Sequence, residues 1–126
     1  MTMTDSLRVV VADDELDVGL MLRMQLGAQP GIEVVGVAAD GSEALALCRE
    51  QRPDVVVMDL LMPVMNGFQA IEAMQQELPE VAVVAYTGVA GAYVRHEMER
   101  IGVPLVLKSG DVTPLVDALR QAAAHR

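Results

Sequence analysis

Short runs of β-branched and other apolar residues alternate along the chain with longer stretches in which apolar side chains recur every three or four positions. The first pattern suits strands; the second suits helices packed on one face. Residues 8–12 (Arg8-Val9-Val10-Val11-Ala12) form the first predicted strand, ended by Asp13-Asp14. A helix follows over about 15–27, with Leu16, Leu20 and Met24 on one face, until Gln29-Pro30-Gly31 breaks it. Residues 32–38 read as the second strand and Asp40-Gly41 as a turn. Ser42 can then cap a second helix reaching about Gln51, and Pro53 marks its end.

The third strand, 54–58, contains the unbroken run Val55-Val56-Val57-Met58, which suits a strand covered on both faces. It stops at Asp59. Pro63 and Asn66-Gly67 supply turn chemistry, and Asn66 is the predicted N-cap of a third helix that turns Phe68, Ile71 and Met74 inward and ends at Pro79. Residues 81–86 give a fourth strand ending at Thr87-Gly88. The fourth helix, 92–101, points Val94, Met98 and Ile101 inward, with Gly102 as its stop. A fifth strand, 104–107, ends at Lys108, and Thr113-Pro114 reads as an N-cap followed by proline, opening a last helix to about 123. Strict alternation predicts one α/β domain: a parallel sheet with helices on both faces, doubly wound by right-handed crossovers. Residues 7–124 make that domain, and 1–6 are expected to be a flexible tail.

Composition sharpens this picture in a few places. The 126 residues are 52% apolar, yet hold one Phe, two Tyr and no Trp, so the core must be built from aliphatic side chains and methionine. Net charge is −9, with 18 acids against 9 Lys plus Arg, which argues against nucleic acid as a partner of this domain. Cys48 is the only cysteine, so neither an internal disulfide nor a Cys-based zinc cluster is available, and its helical setting predicts a buried thiol. The longest uncharged run, residues 81–94, falls short of the roughly 18 apolar residues of a membrane-spanning helix. The first residues carry no cationic region or apolar segment of a signal peptide. A cytoplasmic protein with no membrane contact is the expectation.

The polar residues that end the strands supply the candidate chemistry. Strand one delivers Asp13 and Asp14, strand three Asp59, strand four Thr87, and strand five Lys108, the single lysine of the chain. Open α/β sheets bind ligands at the C-terminal ends of their strands, so three carboxylates, a hydroxyl and an ammonium are predicted to converge on one edge. Taken singly, Asp13-Asp14 would serve as helix caps, Asp59 as a solvated strand end and Lys108 as a surface charge. Clustered carboxylates need a cation to stay ionised; Lys108 offsets one charge, and an oxygen-only ligand set suits Mg²⁺ or Mn²⁺. Asp59 would then be free to attack phosphorus. His96 sits on a charged helical face and His125 in the tail, with no partner at ligand spacing; Met62, Met65 and Met74 read as packing residues.

With Asp13-Asp14, Asp59-Leu60-Leu61-Met62-Pro63, Met65-Asn66-Gly67, Thr87-Gly88 and Lys108 in order at the strand ends, the chain resembles a response-regulator receiver domain of bacterial two-component signalling over essentially its whole length. The resemblance implies a flavodoxin-like (βα)5 fold with strand order 2-1-3-4-5. It implies that Asp59 is the phosphoacceptor, that Asp14 binds Mg²⁺ directly, and that Asp13 acts largely through water. The backbone carbonyl of Leu61 would complete the protein ligands, and Thr87, Gly88 and Lys108 would contact the phosphoryl group. A sensor histidine kinase or phosphotransfer protein would be the donor and a further protein the target, with a homodimer as an added option through the fourth or fifth helix.

The chain departs from the family pattern in places. Leu105 stands where the family usually has an aromatic switch residue, leaving Tyr86 and Tyr93 as possible replacements, although strand alternation turns Tyr86 away from Thr87. Gly88 replaces the commoner Ala and loosens its loop. Ser109 follows the lysine, a pairing that resembles receivers attached to helix-turn-helix outputs. Leu61 and Val89 are apolar where relatives often carry polar groups beside the attacking water, which bears on the lifetime of a phosphorylated form. A degenerate receiver acting as a phosphorylation-independent scaffold, or an excised receiver of a transcriptional regulator, is the alternative reading. An aspartyl phosphohydrolase is disfavoured because Leu61 occupies the place of the second acid, and no phosphate-binding glycine motif of nucleotide enzymes follows a strand.

Overall fold

The computed structural model describes residues 6–62, 65–88 and 90–124. Strands β1 (Leu7–Ala12), β2 (Ile32–Ala38), β3 (Val55–Met58), β4 (Ala82–Thr87) and β5 (Leu105–Leu107) alternate with helices α1 (Leu16–Gly27), α2 (Gly41–Gln51), α3 (Gly67–Glu77), α4 (Ala92–Arg100) and α5 (Thr113–Ala124). The strands are all parallel, in the order β2-β1-β3-β4-β5. This is the expected doubly wound, flavodoxin-like arrangement.

Because successive side chains of a strand point to opposite faces, each valine run feeds two cores. Val10, Ala12, Val56, Met58, Val83 and Ala85 pack with Leu45 and Cys48 of α2, Ile71 and Met74 of α3, and Met98 of α4. Val9, Val11, Val55, Val57, Val84 and Tyr86 face the other way, onto Leu22 and Leu26 of α1 and Leu115, Val116 and Leu119 of α5. The thiol of Cys48 is buried, and burial pushes its pKa up to about 12, so it behaves as a small apolar side chain. Among the described residues no helix is long and apolar enough to cross a membrane.

The predicted elements are all present, with three local differences, in the packed face of α1 and the caps of α2 and α5. In α1 the row Leu16, Leu20 and Met24 faces solvent, at 65%, 47% and 75% exposure, and Leu22 and Leu26 are buried instead. The helix carries two apolar rows, and Gly19 decides between them. Bare of a side chain, it lets α1 approach β2 so closely that a Cβ there would lie 2.9 Å from Val37 Cγ1. In α2 the cap is Asp40, which accepts from the Glu43 N–H at 2.8 Å; Ser42 lies inside the helix. The helix ends before Pro53, at Arg52, which adopts a left-handed conformation (φ 47°) and donates its N–H to Cys48. In α5 the Val112 carbonyl closes the first turn by accepting from Val116, so Thr113 is already helical and Asp111 Oδ1 accepts its N–H at 2.9 Å. Of the expected tail, residues 1–5 lie outside the described residues.

Candidate functional site

The parallel ladder runs one residue past three strand ends, and this fixes the backbone of the site. The Asp13 N–H donates to the Ala38 carbonyl (3.0 Å), the Asp59 N–H to Ala12 (3.0 Å), and the Lys108 N–H to Thr87 (2.9 Å). Register completes the alignment, since Ala12 lies opposite Met58 and Thr87 opposite Leu107. The residues after β1, β3 and β5 are thus held level along one edge of the sheet.

Their side chains meet there. Asp13, Asp14 and Asp59 each place a carboxylate oxygen within 4.8 Å of the others. Lys108 Nζ bridges Asp13 Oδ2 (2.7 Å) and Asp59 Oδ2 (3.1 Å). Asp13 Oδ1 also accepts from the Glu15 N–H (2.9 Å), and Asp59 Oδ1 from the Leu61 N–H (3.3 Å). Asp13 therefore does serve the entry to α1, as a capping role would have it, but with its other oxygen it holds the lysine. Asp59 is 5% exposed and Asp13 is buried, whereas Asp14 opens to solvent.

Burial raises the pKa of Asp59, and the Asp13 charge adds to that; hydrogen bonding and attraction to Lys108 oppose the rise without cancelling it. For Lys108, burial works to lower the pKa, but its hydrogen bonds to Asp13 and Asp59 outweigh it, so the ammonium is held above its usual range. Three carboxylates against one ammonium leave a formal excess of two negative charges. A hard divalent cation bound by oxygen ligands matches both that excess and the donor set.

The loop after β3 gives Asp59 its setting. Leu60 turns into the core, and the Leu61 side chain, 59% exposed, stands at the mouth of the site. Asn66 and Gln69 form a reciprocal capping box at the start of α3, as expected of Asn66. The Gly67 N–H donates back to the Leu60 carbonyl (3.1 Å), and the Gly41 N–H of α2 donates to the Met65 carbonyl (2.7 Å). A Cβ on Gly67 would overlap the Asp59 carbonyl oxygen and lie 2.6 Å from Leu60 Cα. Pro63 lies outside the described residues.

Thr87 is buried at the end of β4 and Gly88 beside it is exposed, with open space where a Cβ would stand. The other residues considered for switching are dispersed. Tyr86 is buried among α5 side chains, Tyr93 is exposed on α4, and Leu105 is partly buried against the α3–α4 core. Arg95, Met98, Glu99 and Val103 line a cavity of about 360 Å³ beside Leu105. His96 is exposed; Val89 and His125 lie outside the described residues. The structure thus brings together Asp13, Asp14, Asp59 and Lys108, sets Thr87 and Gly88 on the adjoining strand end, and keeps Tyr86 and Tyr93 apart. Sequence reading took Gly41 and Gly67 as turn residues without the close contacts they make, and took the exposed row on α1 as its packing face. Glycines at both helix starts were visible, but the carbonyls they approach are not adjacent in the sequence.

The family model described as the response regulator receiver domain matches residues 9–120. The transcriptional regulatory protein LiaR of Bacillus subtilis is 36% identical over 118 residues, covering 93% of this chain and 56% of LiaR. The chain spans about half the length of the curated relatives it matches over most of its own length. Among solved structures, the receiver domain of the putative response regulator NarL from Mycobacterium tuberculosis superposes with a TM-score of 0.89 at 28% identity, covering 97% of this chain and 99% of that one. A LuxR-family two-component response regulator from Aurantimonas superposes with a TM-score of 0.88 at 33% identity, covering 96% and 87%.

Proposed function

Because the chain belongs to the response regulator receiver domain family, we propose that Asp59 is its phosphoacceptor and that residues 7–124 form a phosphorylation-controlled switch of a two-component system. The observation that carries this reading is the placement of one buried carboxylate, Asp59, between an ammonium and two further acids at a strand end. A carboxylate oxygen of Asp59 would attack the phosphorus of a phospho-histidine. The P–N bond breaks, its electron pair stays on the imidazole, and an aspartyl phosphate forms. Asp13, Asp14, Asp59 and the Leu61 carbonyl would hold Mg²⁺ (or Mn²⁺), which when bound offsets charge on the transferring group. Lys108 would release its present contact with Asp59 to pair with a phosphoryl oxygen, and the Thr87 hydroxyl and the Gly88 backbone would contact the others.

The donor is a sensor histidine kinase or a phosphotransfer protein. Asp59 is buried, so a protein donor would rest on the surface around it, and two exposed apolar features lie close in the chain to its acids: Leu61, and the α1 row that starts with Leu16, three residues after Asp13. Leu16, Leu20 and Met24 suit the apolar face of a donor helix. On phosphorylation the loop after β4, α4 and β5 would rearrange and alter contact with a downstream protein in the cytoplasm. Leu105 lacks an aromatic ring to report this change, so the rearrangement would run through the loop backbone itself.

The test is intact mass after incubation with a small acyl-phosphate donor and Mg²⁺. One phosphoryl adduct is expected, absent from an Asp59→Asn variant and from a metal-free control. No adduct under any condition would overturn the switch reading in favour of a phosphorylation-independent scaffold.

A further inference from the structure

The loop between β3 and α3 is anchored from outside as well as from within. At its start, Asp59 is tied to β1 through the Ala12 carbonyl, and near its end Gly67 closes back on Leu60. Between these points, among the described residues, the backbone bond that reaches another element is Gly41 N–H to Met65 C=O, at 2.7 Å. Its donor sits on a firm post. Asp40 caps α2, Ala44, Leu45 and Cys48 are buried against the sheet, and Arg49 makes a two-point ion pair with Glu77 of α3.

The contact leaves no room for a side chain. A Cβ on Gly41 would overlap the Met65 carbonyl oxygen, 2.8 Å from the carbonyl carbon and 3.0 Å from Met65 Cγ. The obstacle is backbone, which cannot rotate aside. At Gly36, by contrast, an added Cβ would meet only the Leu47 side chain, at 3.1 Å.

We infer that Gly41 is a positioning residue for the acidic site: its side-chain-free N–H latches α2 to the Met65 carbonyl and so sets the loop that carries Leu61. Resting on the proposed function, this adds that the loop's cation-binding geometry is held by a helix that contributes no ligand. Adding a methyl group at Gly41 forces α2 and Met65 apart, and the displacement passes through Asn66 to Gly67, whose N–H holds the Leu60 carbonyl next to Leu61. Groups hydrogen-bonded directly to metal ligands are worth about 10–100-fold in metal affinity, and Gly41, one step further out, belongs at the low end of that range.

The experiment is calorimetric titration of the full chain with Mg²⁺, without any phosphodonor. Gly41→Ala is expected to bind Mg²⁺ about tenfold more weakly than wild type. Gly36→Ala, which presses on α2 only through the flexible Leu47 side chain and not through backbone, is expected to match wild type. In parallel, the Gly41 amide resonance of the wild-type protein is expected to shift as Mg²⁺ is added. This measurement decides the matter if Gly41→Ala does not fold. Wild-type affinity in a folded Gly41→Ala, or equal weakening in Gly36→Ala, would overturn the latch while leaving the proposed function standing. So would a Gly41 resonance indifferent to Mg²⁺. A wild-type protein that binds no Mg²⁺ would sink both.

Discussion

The loops that follow β3 and β4 leave neighbouring strands and flank the same acidic site, yet a methyl group has no room at the glycines of one and meets nothing at those of the other. After β3, Gly67 is pressed against the Asp59 carbonyl, and Gly41 of the adjoining helix against that of Met65. After β4, Gly88 and Gly91 face open space with ordinary backbone angles. The helices that follow differ in the same sense. Gly67, Ala70, Ile71 and Met74 of α3 are buried, while α4 buries Met98 alone. α3 starts with a capping box; Gly91, which starts α4, has no side chain with which to cap. One side of the site is a tightly fitted frame around Asp59, the proposed acceptor, and the other leaves open space beside its glycines. Glycine is required in the first case because it has no volume, whereas in the second a side chain would fit.

The comparison can be broken most directly in the two helices. Met74→Ala in α3 is expected to cost about 4 kcal/mol and Met98→Ala in α4 about 2 kcal/mol, because α4 can settle into the space left behind and α3 cannot. Urea denaturation checks this, and equal losses would remove the distinction. Next in size, Gly67→Ala is expected to destabilise by about 3 kcal/mol through overpacking against backbone, and to abolish the phosphoryl adduct in the mass assay.

Asp59 itself gives an intermediate effect that depends on pH. Burial raises the folded-state pKa of Asp59 above its ordinary 3.8, so folding favours the protonated acid. Its favourable contribution is complete below the unfolded-state value and is lost as pH rises through the folded-state value. Asp59→Asn carries no such penalty. It is expected to melt higher than wild type at neutral pH, with the difference shrinking as pH falls towards 3.8, as thermal melts across that range would show. A constant difference would mean that the frame does not strain the charge it holds.

The smallest change is expected at Gly88 and Gly91. Gly88→Ala and Gly91→Ala fit without strain and restrict the unfolded chain, so each should stabilise by about 0.5 kcal/mol, read as a shift in denaturation midpoint. Either one destabilising the protein would show that this loop is as tightly fitted as its neighbour.

Much of the molecule was legible in the sequence because its signals are local. Period-two valine runs and helical apolar spacing name the ten elements, and strict alternation dictates a parallel sheet. Asp13, Asp14, Asp59, Thr87 and Lys108 could be placed together because the ends of parallel strands share one edge whatever the detailed packing. Local signals failed where two choices of equal local merit competed. The α1 rows Leu16-Leu20-Met24 and Leu22-Leu26 are equally apolar, and only the close approach of Gly19 to Val37 on β2 chooses between them. Asp40 and Ser42 are both good caps, and the Glu43 N–H selects Asp40.

By itself, then, the sequence determined the order of elements, the class of sheet and the set of charged groups delivered to one edge, since each follows from residue type and periodicity along a few neighbouring positions. The tertiary structure alone decided which apolar row of α1 stays in water, which oxygens Lys108 bridges, and which glycines are pressed against carbonyls far away in the chain. Those outcomes depend on distances between residues 8 to 95 positions apart, and such distances exist only once the sheet has brought the segments together.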